Sequence, residues 1–334
     1  MKKISKIISI FLFISLIFVF QVRANAYETV YLGGQSIGIK MNTGVYIVGK
    51  FQVNTDKGKI SPWQNSNIEI GDKIDMINGI RIASNAELLN YLSKNSNDTI
   101  NLTLLRDNMN IRTDIQVVKN DNNESSLGLY IKDQIQGIGT MSFITNDGYF
   151  ASLGHGIYEN KKIVEQVSGS LYYSSVASIR KSEPGNAGEK KASINNQKIG
   201  EIIKNDTTGL YGKIELSSVL KKEVGISNQS NIKKDKAYIY TTLTDNIVRG
   251  YEIEIIDVDN QTRKASKGIK FKVTDARLID ETGGIVQGMS GSPIVQNNQI
   301  IGAVSHVTVE NPIFGYGMHV EFMIDEIETI TANY

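Results

Sequence analysis

Polar and apolar positions alternate with a period of two over Thr99-Ile100-Asn101-Leu102-Thr103-Leu104, the pattern of a strand with one wet and one buried face. Ile37-Gly38-Ile39-Lys40-Met41 and Gly44-Val45-Tyr46-Ile47-Val48 alternate or run apolar, so two further strands are predicted there. The period changes at Ala86-Glu87-Leu88-Leu89-Asn90-Tyr91-Leu92, where apolar residues recur at helical spacing behind a Ser84 or Asn85 cap. Residues 30–118 therefore read as a small α+β unit. Lys119-Asn120-Asp121-Asn122-Asn123-Glu124-Ser125-Ser126 holds no apolar residue and is predicted to be a protease-sensitive linker over 119–126. From there to the end, 127–334, strands and turns dominate. Gly137 to Ile144 meets Asn146-Asp147-Gly148 and returns as Tyr149-Phe150-Ala151-Ser152-Leu153, a hairpin. Only Phe322 to Ile330 regains helical spacing. The chain is thus expected to be mainly β, its longer part a sandwich or a pair of small barrels closed by a C-terminal helix.

The N-terminus breaks this pattern. Lys2 and Lys3 precede an apolar run from Ile7 to Phe20, and Ala24-Asn25-Ala26 supplies a small-x-small exit, so residues 1–26 read as a secretory signal peptide, cut after Ala26, or a signal anchor. The run falls short of the roughly 20 residues that comfortably span a bilayer, which favours removal. Either way the body is expected to be exported. Lys and Arg total 36 against 35 acids, and four of those cations with no acid lie before Tyr27, so the body is slightly acidic. Such a body has no field for gripping phosphate backbones, and nucleic acid is not expected as a partner. The absence of cysteine excludes disulfides, thiolate metal sites and a cysteine nucleophile. Only His155, His306 and His319 are present, with no His-Glu-x-x-His spacing, so neither metal nor cofactor is expected.

Gly288-Met289-Ser290-Gly291-Ser292-Pro293 carries the sharpest chemistry. Attack on a carbonyl needs a nucleophile on a tight turn and backbone N–H groups aimed at the developing oxyanion, with glycines to permit close approach. Ser290 has glycine at −2 and +1, whereas Ser292 has glycine before it and proline after. Ser290 is the expected nucleophile, with the amides of Gly288 and Ser290 as oxyanion donors. His155 follows the predicted hairpin in Gly154-His155-Gly156 and is the expected general base. Asp275, between them in sequence, is the expected third member; Asp206, Glu215 and Asp147 are the substitutes. His306 and His319 are expected to line the substrate cleft or complete strand hydrogen bonds.

Three resemblances sharpen these expectations. Ile70-Gly71-Asp72-Lys73-Ile74 to Asn78-Gly79 resembles the PDZ domain, in which a peptide adds as a strand beside a carboxylate-binding loop; Ser36-Ile37-Gly38-Ile39 stands where that loop would be. The hairpin with His155, the Ser290 turn and the later Gly315-Tyr316-Gly317 resemble trypsin-like serine peptidases, which implies a chymotrypsin-like double barrel and a substrate cleft along Ser305, His306 and Gly317. Together with Thr282-Gly283-Gly284-Ile285-Val286-Gln287 ahead of the Ser290 turn, the chain resembles the stage IV sporulation protein B family of PDZ-containing serine peptidases. That resemblance implies an endopeptidase working between forespore and mother-cell membranes. Its substrates would be itself and a membrane-bound regulator of an intramembrane protease. The alternatives are a non-catalytic PDZ adaptor and an envelope quality-control protease, whose PDZ domains usually follow the protease.

Overall fold

The computed structural model of the protein describes residues 27–159, 162–164, 168–218, 222–244 and 247–333. The expected signal segment 1–26 lies outside the described residues.

Strand β1 (Thr29–Leu32) is followed by a long β2 (Ser36–Lys50), then β3 (Lys73–Ile77), helix α1 (Asn85–Lys94), β4 (Thr99–Arg106) and β5 (Met109–Gln116). A second long strand, β6 (Leu129–Ile144), leads to β7 (Tyr149–Ser152), β8 (Ser168–Arg180), β9 (Glu189–Asp206), β10 (Gly209–Ile214) and β11 (Glu223–Ile226). The chain continues with β12 (Lys236–Thr242), β13 (Val248–Val258), β14 (Ile269–Val273), α2 (Ala276–Thr282), β15 (Pro293–Gln296), β16 (Gln299–Val307), β17 (Phe314–His319) and α3 (Val320–Ala332).

Two antiparallel circuits close on themselves. β2 pairs with β6, β6 with β7, β7 with β10, β10 with β9, β9 with β8, and β8 returns to β2. Ile37, Ile39, Met41, Phe150, Leu171 and Leu210 are buried inside this first barrel. In the second, β12 pairs with β13, β13 with β14, β14 with β17, β17 with β16, β16 with β15, and β15 with β12. Ile239, Ile253, Ile269, Phe271, Ile294 and Ile301 belong to its core. Closure leaves each barrel without an exposed edge. The mainly β expectation holds, and of sandwich and barrels it is the barrels that form.

A third core joins the two. β1 pairs with β6 and β11, and β11 runs parallel to β16, while Val30, Leu32, Phe143, Val295, Val320, Met323 and Ile327 pack together between the barrels. α3 is held there by charge as well. Glu326, 1 % exposed, accepts hydrogen bonds from Lys204 of β9 and from Lys264.

The domain order differs from the expected succession of 30–118, a linker and 127–334. The first half of β2 is a barrel strand; its second half, from Val45, pairs with β3, which pairs with β4, and β4 with β5. Val45, Ile47, Ile74, Leu88, Leu92 and Leu102 form the core of this PDZ unit. The PDZ unit is therefore inserted into the first barrel between that barrel's first two strands. β2 and β6 span both bodies as one ribbon, paired from Lys50↔Leu129 to Ser36↔Thr140 with the register shifting between Tyr130 and Ile131 and between Lys132 and Gln134. The expected linker is no linker: Val118–Lys119 and Ser125–Ser126 pair as a small hairpin, with residues 121–124 exposed at its tip and the Asn120 side chain accepting from the amides of Asn122 and Glu124.

The Gly71-Asp72 signature has a physical reason. Gly71 sits at φ +100°, and Asp72, 1 % exposed, receives Arg106 Nε at 2.6 Å, Arg106 Nη2 at 2.8 Å and the Glu69 amide at 2.8 Å. Asn78 and Gly79, at φ 48° and 80°, make the left-handed turn that reverses β3 into the short strand Ile80–Arg81.

Candidate active site

The His155 turn begins with two successive left-handed residues, Leu153 at φ +74° and Gly154 at φ +66°. A non-glycine residue in that region is uncommon and costs energy, which the surroundings must repay. The surroundings are the second barrel: a Cβ on Gly154 would lie 2.9 Å from the Val304 carbonyl oxygen. This turn therefore brings His155 from the end of β7 to the junction between the barrels. Its Nδ1 lies 2.8 Å from the Gly156 carbonyl oxygen. A carbonyl can only accept, so Nδ1 carries the proton and Nε2 keeps its lone pair. Burial lowers the His155 pKa, with the Gly156 carbonyl opposing that effect, so the ring is neutral at neutral pH.

The Ser290 turn reaches the same junction from the second barrel. Gly291, at φ +92°, donates its amide to the Val304 carbonyl at 2.7 Å, and a Cβ there would lie 2.4 Å from the Leu153 nitrogen. The turns that carry Ser290 and His155 thus touch. Thr140 of β6 holds the serine turn twice: its amide donates to the Ser290 carbonyl at 2.9 Å and its hydroxyl to the Gly288 carbonyl at 2.7 Å. Met289 donates to Val286 at 3.1 Å and Ser292 to Met289 at 2.9 Å, which completes two tight turns around the serine. Among the described residues, the amides of Gly288 and Ser290 have no acceptor, so both proposed oxyanion donors remain available. Ser290 itself is partly exposed. Ser292 is fully buried with an unpartnered hydroxyl, which removes it as a competing nucleophile.

The expected acid does not join them. Asp275 caps α2: its Oδ1 accepts from the Arg277 amide at 3.0 Å, its Oδ2 from Arg277 Nη2 at 2.7 Å and from the Glu252 amide at 3.2 Å. The Arg277 hydrogen bonds hold its carboxyl at a pKa of about 2. Those bonds commit both oxygens to the cap. Asp206 Oδ1 accepts from the Thr207 hydroxyl at 3.0 Å and its Oδ2 faces Lys204, Asp147 accepts from Thr145 in its own turn and from the distant Tyr27, and Glu215 is exposed. The group facing His155 is instead His306 of β16, with ring centroids 5.8 Å apart. Burial, His155 and Lys267 push the His306 pKa down to about 4, so it too is neutral.

The expected cleft residues also part company. His306 stands beside His155, but Ser305 is buried and donates to the carbonyls of Ser266 and Tyr316, and a Cβ on Gly317 would lie 2.5 Å from Ile294 Cδ1 within the second barrel. His319 is fully buried with Nε2 2.9 Å from the Asp259 carbonyl, a strand-end contact. A separate cavity of about 420 Å³ has Gln35, Ser36, Met141, Tyr173 and Thr242 in its walls.

The expected PDZ loop is likewise displaced. Ser36-Ile37-Gly38-Ile39 is flanked by β6 and β8, and Ile37 and Ile39 are each 1 % exposed in the barrel core. No loop and no free strand edge remain there. The open edge belongs to β6: over Leu129 to Asp133 it pairs only with β2 among the described strands, and Asp133 accepts from the Asn85 amide of α1 at 2.7 Å. Leu127-Gly128-Leu129 leads into that edge, with Gly128 at φ +66°. A glycine between two leucines ahead of an alternating strand was the signal for it.

A histidine turn and a glycine-flanked serine turn meeting between two closed barrels, with an inserted PDZ unit, define a PDZ-containing serine peptidase. The sequence profile of SpoIVB peptidase S55 matches residues 123–324, more than half of the chain, and that of the PDZ domain matches residues 36–117. The chain belongs to the SpoIVB peptidase S55 family. No curated protein matches it. Among solved structures it is similar to the PDZ domain of the SdrC-like protein from Listeria monocytogenes, at 23 % identity over 27 % of this chain and 87 % of that one, TM-score 0.22. It is also similar to the Rv3671c protease of M. tuberculosis in its inactive form, at 10 % identity over 58 % of this chain and 84 % of that one, TM-score 0.36. Human heparin binding protein matches at 14 % identity over 58 % and 86 %, TM-score 0.32.

Proposed function

We propose that this serine peptidase is an exported endopeptidase that cleaves itself and a membrane-associated regulatory protein in a sporulation signalling cascade, the regulator being that of an intramembrane protease and the outcome activation of a late mother-cell sigma factor. Ser290 Oγ attacks the scissile carbonyl, His155 Nε2 takes the proton and returns it to the leaving amine, and the Gly288 and Ser290 amides receive the oxyanion. The Gly156 carbonyl, in place of a carboxylate, orients the ring. The observation that carries the chemistry is the serine turn hung on Thr140 with both amides free beside the histidine turn. Membership of the SpoIVB peptidase S55 family supports the cascade and the site of action between forespore and mother-cell membranes. The open edge of β6 beside α1 supports capture of an extended segment of the protein substrate by the PDZ unit.

The test uses folded protein of residues 27–334. A fluorophosphonate probe is expected to label Ser290, and the protein is expected to shorten with time while Ser290→Ala stays intact. An unlabelled serine would leave the barrels as a scaffold and the protein as a PDZ adaptor.

A further inference from the structure

Lys190 is the one lysine of the described chain whose side chain is buried, at 5 % exposure. An amine is ordinarily placed in the interior only with a carboxylate partner, because its charge is costly to desolvate. Here the partners are neutral. Nζ donates to Thr241 Oγ1 at 2.8 Å and to Thr140 Oγ1 at 3.3 Å. A neutral amine has two N–H donors, so these two hydroxyls satisfy it, and the third proton of an ammonium would have no acceptor among the described residues. Burial alone lowers the Lys190 pKa to about 7, in keeping with that count.

The position of the residue matters more than its charge. Its backbone amide donates to the Gln287 carbonyl at 2.9 Å. In a trans peptide the carbonyl and the following N–H point in opposite directions, so that bond directs the Gly288 N–H away from Lys190. The side chain then runs beneath Gly288: a Cβ built there would lie 3.2 Å from both Lys190 Cβ and Cδ. At its far end Thr140 Oγ1 receives the amine and gives its own proton to the Gly288 carbonyl at 2.7 Å. One residue thus holds the peptide planes before and after Gly288.

We infer that Lys190 is a positioning residue for the oxyanion site, fixing the Gly288 amide through Gln287 at one end and through Thr140 at the other. It touches no reacting atom, and the inference rests on Ser290 being the nucleophile. An oxyanion donor that loses its aim loses most of its effect, since removing one outright costs about 10²–10³ in rate. The buried amine is at the same time a burden on folding. The unfolded chain holds the lysine proton up to its ordinary pKa of 10.5 and the native protein only up to about 7. Its stability cost is therefore complete below about pH 7 and fades as the pH rises toward the ordinary value.

The experiment compares second-order labelling of Ser290 by a fluorophosphonate, whose phosphoryl oxygen must occupy the oxyanion site, in the full exported chain. Lys190→Met is expected to slow labelling at least tenfold while its thermal midpoint at pH 6 is unchanged or higher, a combination that a merely structural lysine would not give. Thr140→Val is expected to slow labelling similarly, and the double variant no more than the slower single, because both act on one carbonyl. Should Lys190→Met fail to fold, Thr140→Val with Thr241→Val decides in its place: slowed labelling supports the inference, and wild-type rates overturn it. Labelling of folded Lys190→Met within threefold of wild type, or effects that simply multiply in the double variant, would overturn it while leaving Ser290 as the nucleophile. An unlabelled wild type would remove both.

Discussion

At the residue scale the departure from expectation lies in the acid. Asp275 spends its carboxylate on α2 and Arg277, so Asp275→Asn, which keeps a cap acceptor and loses only the ion pair with the exposed Arg277, is expected to keep Ser290 labelling within about threefold of wild type and to lose less than about 1 kcal/mol of stability. A collapse of labelling with an unchanged melting curve would restore it to the site. Its pKa of about 2 sets the pH window: the stabilisation is present above the ordinary carboxylate value of 3.8 and is lost as the pH falls from there toward about 2. His155 governs activity at higher pH. Because burial lowers its pKa below 6.5, the base is neutral at pH 7 and the acid limb of the labelling profile is expected below that value. An acid limb above pH 7 would mean a carboxylate does reach the ring when substrate binds.

At the element scale the two long strands decide the outcome of mutation. Ile39 lies in the core of the first barrel and not in a peptide-binding loop, so Ile39→Ala is expected to cost about 2–5 kcal/mol in chemical denaturation, as a buried large-to-small change does. Unaltered stability with weakened peptide binding would return it to the PDZ loop. Glu326 belongs to the same scale: Glu326→Gln leaves two lysines facing a neutral amide midway along α3, and about 1–3 kcal/mol of stability is expected to be lost, less than for a fully buried pair because both lysines are about one-third exposed. Alternation and helical spacing made most elements legible, and the Asn-Asp-Gly hairpin and the α1 cap stand where the sequence puts them, Ser84 accepting from the Glu87 amide at 3.2 Å. The serine and histidine turns were legible because glycines mark close approaches that only backbone can make. The role of β2 was not. Ile37-Gly38-Ile39 alternates as well in a barrel wall as at the edge of a PDZ sheet, and only the pairing with β6 and β8, a hundred residues away and more, distinguishes the two. Lys190 carries no local signal either, since Lys190 and Lys191 read alike and only one of them is buried.

At the scale of the whole molecule, the exposed tip at 121–124 lies within the insert and not between two separable bodies. A cut there leaves β1 and β2 on one fragment and β6 on the other, still paired from Lys50↔Leu129 to Ser36↔Thr140. The nicked protein is expected to elute from a sizing column at the volume of the intact one and to separate only in denaturant; two native peaks would contradict the shared ribbon. The insertion also bears on how the chain reaches its final state. The opening strand of the first barrel is made early, yet its neighbours β6 and β8 lie about ninety and one hundred and thirty residues later, a separation that makes direct encounter slow. The PDZ unit offers a shortcut, because once folded it sets Asn42 opposite Gln134 and reduces a long loop to adjacent strands. The insert would then act as the clasp that starts barrel assembly. Substitutions that melt only the PDZ core would slow maturation of a distant hydrolytic centre, and a chain that ended between His155 and β10 would hold the histidine with no closed barrel to aim it.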